Sequence, residues 1–122
     1  MRRMVETVLI VDDHPGFRAS ARKLLESGGF LVLGEAADGA EALALARELR
    51  PRVVLLDVQL PDTDGFDVAE RIRALEDPPD VILTSSRDSS DYGSLIATAA
   101  VRGFVAKAEL STDAVRAALA RS

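Results

Sequence analysis

The chain has no cysteine and no tryptophan, and only one histidine and one tyrosine among its 122 residues. Without cysteine there is no disulfide and no thiolate metal site, which fits a reducing compartment. Four phenylalanines are the only other aromatic side chains, so Ala, Val, Leu and Ile must fill the core. Long apolar runs are missing too. Val8–Val11 is far too short for a signal peptide or a membrane span. No membrane association is therefore expected, and the cytoplasm is the expected location. Lys and Arg number 15 against 20 Asp and Glu, a net charge of −5, and the basic residues are scattered along the sequence. Proteins that bind nucleic acid unaided usually carry a basic face, so no direct nucleic acid binding is expected. The length suits a single domain over residues 1–122.

What is present alternates between two periods. Thr7–Val11 is a short apolar run that ends in acids, as a buried strand would. Pro15 suits the first turn of a helix. Phe17, Ala21, Leu24 and Leu25 then share a helical face until Gly28-Gly29 stops it. Phe30–Leu33 reads as a second strand. Asp38 and Glu41 form a capping-box pattern for a helix that buries Ala42, Leu45, Ala46 and Leu49, with Pro51 beyond its end. Val53–Leu56 is a third strand that runs into Asp57. A polar loop leads through Pro61 to Gly65, where Phe66, Ala69 and Ile72 resume helical spacing. Pro78-Pro79 precedes a fourth strand, Val81–Thr84. A weaker helix over about 91–100 and a fifth strand, Gly103–Ala106, follow. Ser111 can cap a last helix, with Leu110 and Val115 as a hydrophobic staple. Five strands alternating with five helices predict an α/β fold, a doubly wound parallel sheet covered on both faces.

In such sheets ligands bind beyond the carboxyl ends of the strands. The polar residues fall there: Asp12 and Asp13 after the first strand, Asp57 after the third, Ser85 after the fourth and Lys107 after the fifth. Two carboxylates about 4 Å apart repel by roughly 4 kcal/mol at an effective dielectric near 20. Such a cluster protonates or recruits cations. An all-oxygen donor set favours a hard ion, Mg²⁺ rather than Zn²⁺. A metal, a lysine and a hydroxyl around one carboxylate make a seat for a phosphoryl group, whose transfer depends on positioning and charge neutralisation.

The segments VLIVDDHP (Val8–Pro15), VVLLDVQLPDTDGF (Val53–Phe66), Ser85 after VILT, and GFVAK (Gly103–Lys107) carry a resemblance. In this order and spacing the chain resembles, over essentially its full length, the receiver domain of two-component response regulators. The DDHP start and the DVQLPDTDG loop are most similar to the NarL/FixJ subfamily. The resemblance implies a flavodoxin-like, CheY-like fold and a signalling switch rather than an enzyme. It implies Asp57 as phosphoacceptor, charged by a sensor histidine kinase. It implies Mg²⁺ held by Asp13 directly, Asp12 through water, Asp57, and the backbone carbonyl of Gln59. Lys107 would pair with the phosphoryl oxygens, Ser85 would swing to bond them, and Phe104 would be the aromatic rotamer switch. Thr84 is the neighbouring alternative to Ser85. Gln59 and Arg87 would tune the phosphate lifetime, and phosphorylation can bring a homodimer.

Plainer readings stand beside these. Asp12 and Asp13 can cap the first helix, Lys107 can be a solvated lysine, and Phe104 can be core. His14 is read as a helix-start polar residue rather than a ligand. Ala108, not proline, follows Lys107, which allows a trans loop there. A haloacid-dehalogenase-type Mg²⁺ phosphatase is the competing enzyme class. It needs D-x-D, and Asp57 is followed by Val58 and Gln59. A phosphate-independent pseudo-receiver is the third reading, disfavoured by the intact acids and lysine. The sequence leaves open whether this is a stand-alone regulator or a receiver from a longer one with a helix-turn-helix.

Overall fold

The computed structural model describes residues 6–86, 92, 93, 96 and 101–120. Five parallel strands form one sheet in the order β2-β1-β3-β4-β5. They are β1 (Thr7–Val11), β2 (Leu31–Ala36), β3 (Val53–Asp57), β4 (Asp80–Ser85) and β5 (Gly103–Ala106). The described helices are α1 (Pro15–Ser27), α2 (Gly39–Leu49), α3 (Gly65–Arg73) and α4 (Thr112–Ala120), with a 3₁₀ turn at Lys107–Glu109. The further helix expected over 91–100 lies largely outside the described residues. No helix is long and apolar enough to cross a membrane, among the described residues.

Alternation along the strands builds two cores, one on each face. Val8, Ile10, Val53, Leu55 and Ile82 pack under Ala21 and Leu25 of α1 and Val115 and Ala118 of α4. Leu9, Val11, Val54, Leu56 and Leu83 pack under Ala42 and Ala46 of α2 and Val68, Ala69 and Ile72 of α3. The three central strands are apolar on both faces through Val8–Val11, Val53–Leu56 and Val81–Leu83 because both faces are covered. At the edge, β2 differs from expectation. It starts one residue later than predicted and runs on to Ala36, past Gly34 and Glu35, which break the apolar run that marks the other strands. Its pairing with β1 shifts between Val8 and Leu9, and Leu31 is 48% exposed at this edge.

The caps follow the sequence closely. Asp38 accepts from the Glu41 N–H at 2.8 Å, but Glu41 reaches back to the Ala37 N–H (2.7 Å), one residue earlier than the box predicts. Ser111 accepts from the Ala114 N–H at 2.9 Å. Asp64 caps α3 through the Asp67 N–H at 2.8 Å. On β2, Glu35 bonds Arg22 at 2.7 Å and Arg18 at 3.1 Å, which ties α1 to the sheet edge. Arg22 chiefly, with Arg18 adding to it, holds the Glu35 carboxyl below its ordinary value against the opposing effect of burial. Gly65, at the start of α3, sits against β3. A Cβ there would lie 2.5 Å from the Asp57 carbonyl oxygen and 2.9 Å from the Val58 Cα, and both are backbone atoms with little room to yield.

Two stability predictions follow from these contacts. Gly65→Ala should destabilise the fold by about 1–3 kcal/mol, the usual range for overpacking, read as a lower urea midpoint. Glu35→Gln should lose about 1 kcal/mol at neutral pH, the upper end for partly exposed pairs. Because the Glu35 pKa is depressed on folding, its contribution is present above the ordinary carboxylate range and lost as pH falls through the lowered value. The gap between parent and variant should therefore close in urea titrations repeated below pH ~4.

Candidate functional site

The polar residues converge where β1, β3 and β5 end. β1 and β3 are neighbours, while their onward connections lead to opposite sides of the sheet, so a crevice opens between them. Asp12 is the first residue past β1, and its N–H donates to the Ala36 carbonyl at 2.9 Å. Asp57 is the last residue of β3. Both side chains are nearly sealed from solvent, Asp12 at 0% and Asp57 at 3% exposure. Lys107 leaves β5 and extends between them. Its Nζ is 2.5 Å from Asp12 Oδ2 and 3.3 Å from Asp57 Oδ2. The contact to Asp57 is a hydrogen bond; the one to Asp12 is an ion pair without hydrogen-bond geometry. The Phe17 ring of α1 lies against the ammonium, its centroid 4.5 Å from Nζ, a cation–π contact.

Burial first, and then the Asp12 charge, raise the Asp57 pKa; the Gln59 N–H and Lys107 oppose them without cancelling them. Burial alone would lower the Lys107 pKa, but the two carboxylates outweigh it and the lysine stays charged, its pKa raised. One ammonium thus faces two buried carboxylates, with the exposed Asp13 beside them.

At the rim, His14 precedes α1 but its side chain makes no cap hydrogen bond. Its N–H donates to Asp12 Oδ1 at 2.8 Å, and its Nδ1 lies 3.0 Å from both Asp12 Oδ1 and Asp13 Oδ1. His14 stands at the N-cap position of α1, as expected of a helix-start residue, and its imidazole also turns onto the acids. Asp12 does not cap the helix either; its carboxylate holds the turn before it. Asp12, Asp13, His14 and Asp57 each offer one donor atom, all within 4.8 Å of one another. Three carboxylates around an excess of negative charge suit a hard divalent cation such as Mg²⁺, and this donor set fits one.

The remaining site candidates separate by face. Gln59 is exposed, and its N–H donates to Asp57 Oδ1 at 3.2 Å. Thr84 pairs with Asp57 in register, buried, and its Oγ1 has no hydrogen-bond partner among the described residues. Ser85, next along, shares the Leu83 face and is 1% exposed; its hydroxyl lies 2.7 Å from the Tyr92 hydroxyl. Phe104 packs on that same face, its ring centroid 5.8 Å from that of Tyr92. Arg87 lies outside the described residues. After Lys107 the chain turns through the 3₁₀ segment, and no cis peptide bond occurs among the described residues.

Sequence reasoning missed Arg18, which donates to the Asp12 carbonyl at 2.6 Å. It took Phe17 only for a core residue, and it passed over Tyr92. The helical phase shared by Phe17 and Ala21 was visible; that this face would lie over the end of β5 was not.

A family model, the response regulator receiver domain, matches residues 8–120. The probable transcriptional regulatory protein NarL of Mycobacterium tuberculosis is 40% identical over 113 residues, 92% of this chain and 52% of that protein. The DNA-binding transcriptional activator EvgA of Escherichia coli is 34% identical over 101 residues, 83% of this chain and 50% of that one. Among solved structures, a two-component response regulator of the LuxR family from Aurantimonas superposes with a TM-score of 0.85 at 31% identity. That match covers 97% of this chain and 88% of the other. The chain spans about half the length of the curated relatives it matches. With the family pattern running from β1 to α4 and its acids and lysine meeting at one crevice, the chain belongs to the response regulator receiver domain family.

Proposed function

We propose that this receiver works as a phosphorylation switch in which Asp57 accepts a phosphoryl group from the phosphohistidine of a sensor histidine kinase. The observation that carries the reading is Lys107, whose Nζ reaches Asp12 and Asp57 together at 2.5 and 3.3 Å. A lone lysine between two buried acids leaves negative charge uncompensated, which a divalent cation and an incoming phosphoryl group at the same crevice would use. Asp12, Asp13, Asp57 and the Gln59 carbonyl are the residues that would hold Mg²⁺. When bound, the ion would neutralise charge on the phosphoryl oxygens.

The step itself is simple to balance. An Asp57 carboxylate oxygen attacks phosphorus, the P–N bond to the kinase imidazole breaks with its electron pair going to that nitrogen, and the ring, already protonated on its other nitrogen, leaves as neutral imidazole. Asp57 must be ionised to attack. Burial and Asp12 work against that, so Lys107 is needed to keep the acceptor charged as well as to receive the product. Ser85 and Phe104 then read the new group, and Gln59 and Arg87 set how long it lasts. A single receiver unit over residues 1–122, acting in the cytoplasm and dimerising when phosphorylated, completes the reading.

Charge-assisted hydrogen bonds contribute about 1.5–3 kcal/mol each. Bonds from Ser85 and Lys107 that form only in the active state would supply roughly 3–6 kcal/mol, where moving a population from 1:99 to 99:1 takes about 5.5. Phosphorylation alone leaves a mixed population near the lower figure, and dimerisation or a target completes the shift.

Two experiments test this. Incubation with Mg²⁺ and acetyl phosphate should add one phosphoryl group by intact mass, and Asp57→Asn should abolish it; label persisting in the variant would sink the assignment. In Mg²⁺ titrations, Asp13→Ala should weaken binding roughly tenfold or more, about 1.4 kcal/mol, because it removes a direct ligand. Asp12→Ala should weaken it less, since its contact is through water. Equal or reversed effects would refute that ligand order.

A further inference from the structure

The hydroxyl assigned to the switch already has an engagement in the resting chain. Ser85 Oγ lies 2.7 Å from Tyr92 Oη, and either atom can donate. Strand alternation explains why it meets this partner. Ser85 follows Leu83 onto the α2–α3 face, where Tyr92 packs, while Asp57 and Thr84 stand side by side in register with side chains on the other face.

Tyr92 is held on both sides. Its ring is 5.8 Å from Phe66 at an angle of 59°, and 5.8 Å from Phe104 at 50°. These tilted contacts lie in the favourable range for aromatic pairs. Tyr92 therefore touches both parts of the proposed switch, the hydroxyl of Ser85 through its own hydroxyl and the ring of Phe104 through its face. Phe66 follows Gly65, whose backbone packs against Asp57 and Val58, so the aromatic row begins one residue from this contact with the end of β3.

We infer that Tyr92 is a positioning residue that holds Ser85 and Phe104 in the resting arrangement and must release the Ser85 hydroxyl before that hydroxyl can bond a phosphoryl group on Asp57. The inference rests on the phosphoacceptor reading above. Turning the Ser85 hydroxyl toward Asp57 at the strand end takes it off the face where Tyr92 lies, so the two bonds compete. The resting bond then subtracts from whatever the phosphoryl group gains, and the receiver is harder to switch than Ser85 and Lys107 alone would make it.

The test uses beryllofluoride with Mg²⁺, a stable mimic of the aspartyl phosphate, titrated against four proteins: parent, Tyr92→Phe, Ser85→Ala and the double variant. Tyr92→Phe keeps the ring contacts and removes only the competing hydroxyl. It should bind beryllofluoride about two- to tenfold more tightly than the parent, the worth of one neutral hydrogen bond. In the Ser85→Ala background the same substitution should change nothing, because its effect runs through that hydroxyl. A purely structural tyrosine would give the same change in both backgrounds. Unchanged or weaker binding by Tyr92→Phe, or an equal gain without Ser85, would overturn the inference while leaving Asp57 as acceptor. If the parent bound no beryllofluoride and Asp57 took no label, the phosphoacceptor reading would fall, and the role of Tyr92 with it.

Discussion

The placement of one ammonium between two buried carboxylates governs the rest of this molecule. Asp12 and Asp57 lie on adjacent strands, and the parallel pairing of β1 with β3 brings their carboxylates to the same end of the sheet. Taking both out of water is costly, and Lys107 is the only lysine or arginine that ion-pairs with either of them among the described residues. Much of the surroundings serves to keep that triad in place. Phe17 backs the ammonium, the Gln59 N–H steadies Asp57, and Arg18 anchors the Asp12 backbone while bonded in turn to Glu35. A change at the exposed edge strand β2 can therefore reach the site through two hydrogen bonds.

The loop after Asp57 is tied down in a comparable way. Asp62 accepts from the Gly39 and Ala40 N–H groups at 2.8 and 3.0 Å, so it completes the cap of α2 that Asp38 begins. Gln59 and Asp64 bridge across the loop, and the Gly65 N–H donates to the Val58 carbonyl at 2.6 Å. The end of β3, the loop and two helix starts are thus joined over a short span by main-chain bonds and by carboxylates that accept from main-chain N–H groups. The loose part of the site is the histidine rim, where His14 is 68% exposed.

The sequence made β1, β3, β4 and β5 legible because their apolar runs are uninterrupted and end in polar residues. It truncated β2, since an edge strand with one solvated side can carry Gly34 and Glu35, and a run-based reading stops at them. The acids, Ser85 and Lys107 could be read from their positions at strand ends. His14 and Tyr92 could not be read that way. Their contacts depend on how an irregular segment lies, and neither periodicity nor spacing encodes that. Arg18 carries no signal in the sequence beyond its charge off the apolar face of α1; that it bonds a main-chain carbonyl beside the acids depends on where α1 leaves the sheet.

The strand order also bears on how the chain is made. The β2-β1-β3 half contains both buried acids and is complete by residue 57, whereas the lysine that balances them comes fifty residues later at the end of the last strand. During synthesis, then, the N-terminal half emerges with an acidic crevice that lacks its lysine. Until β4 and β5 add to β3, Asp12 and Asp57 are best left in water, and the half-sheet gains little by closing over them. Arrival of the final strand brings two things at once, apolar cover and the missing positive charge. The two halves therefore mature together, and a chain halted before Lys107 would hold the Asp57 carboxylate in an open, hydrated edge.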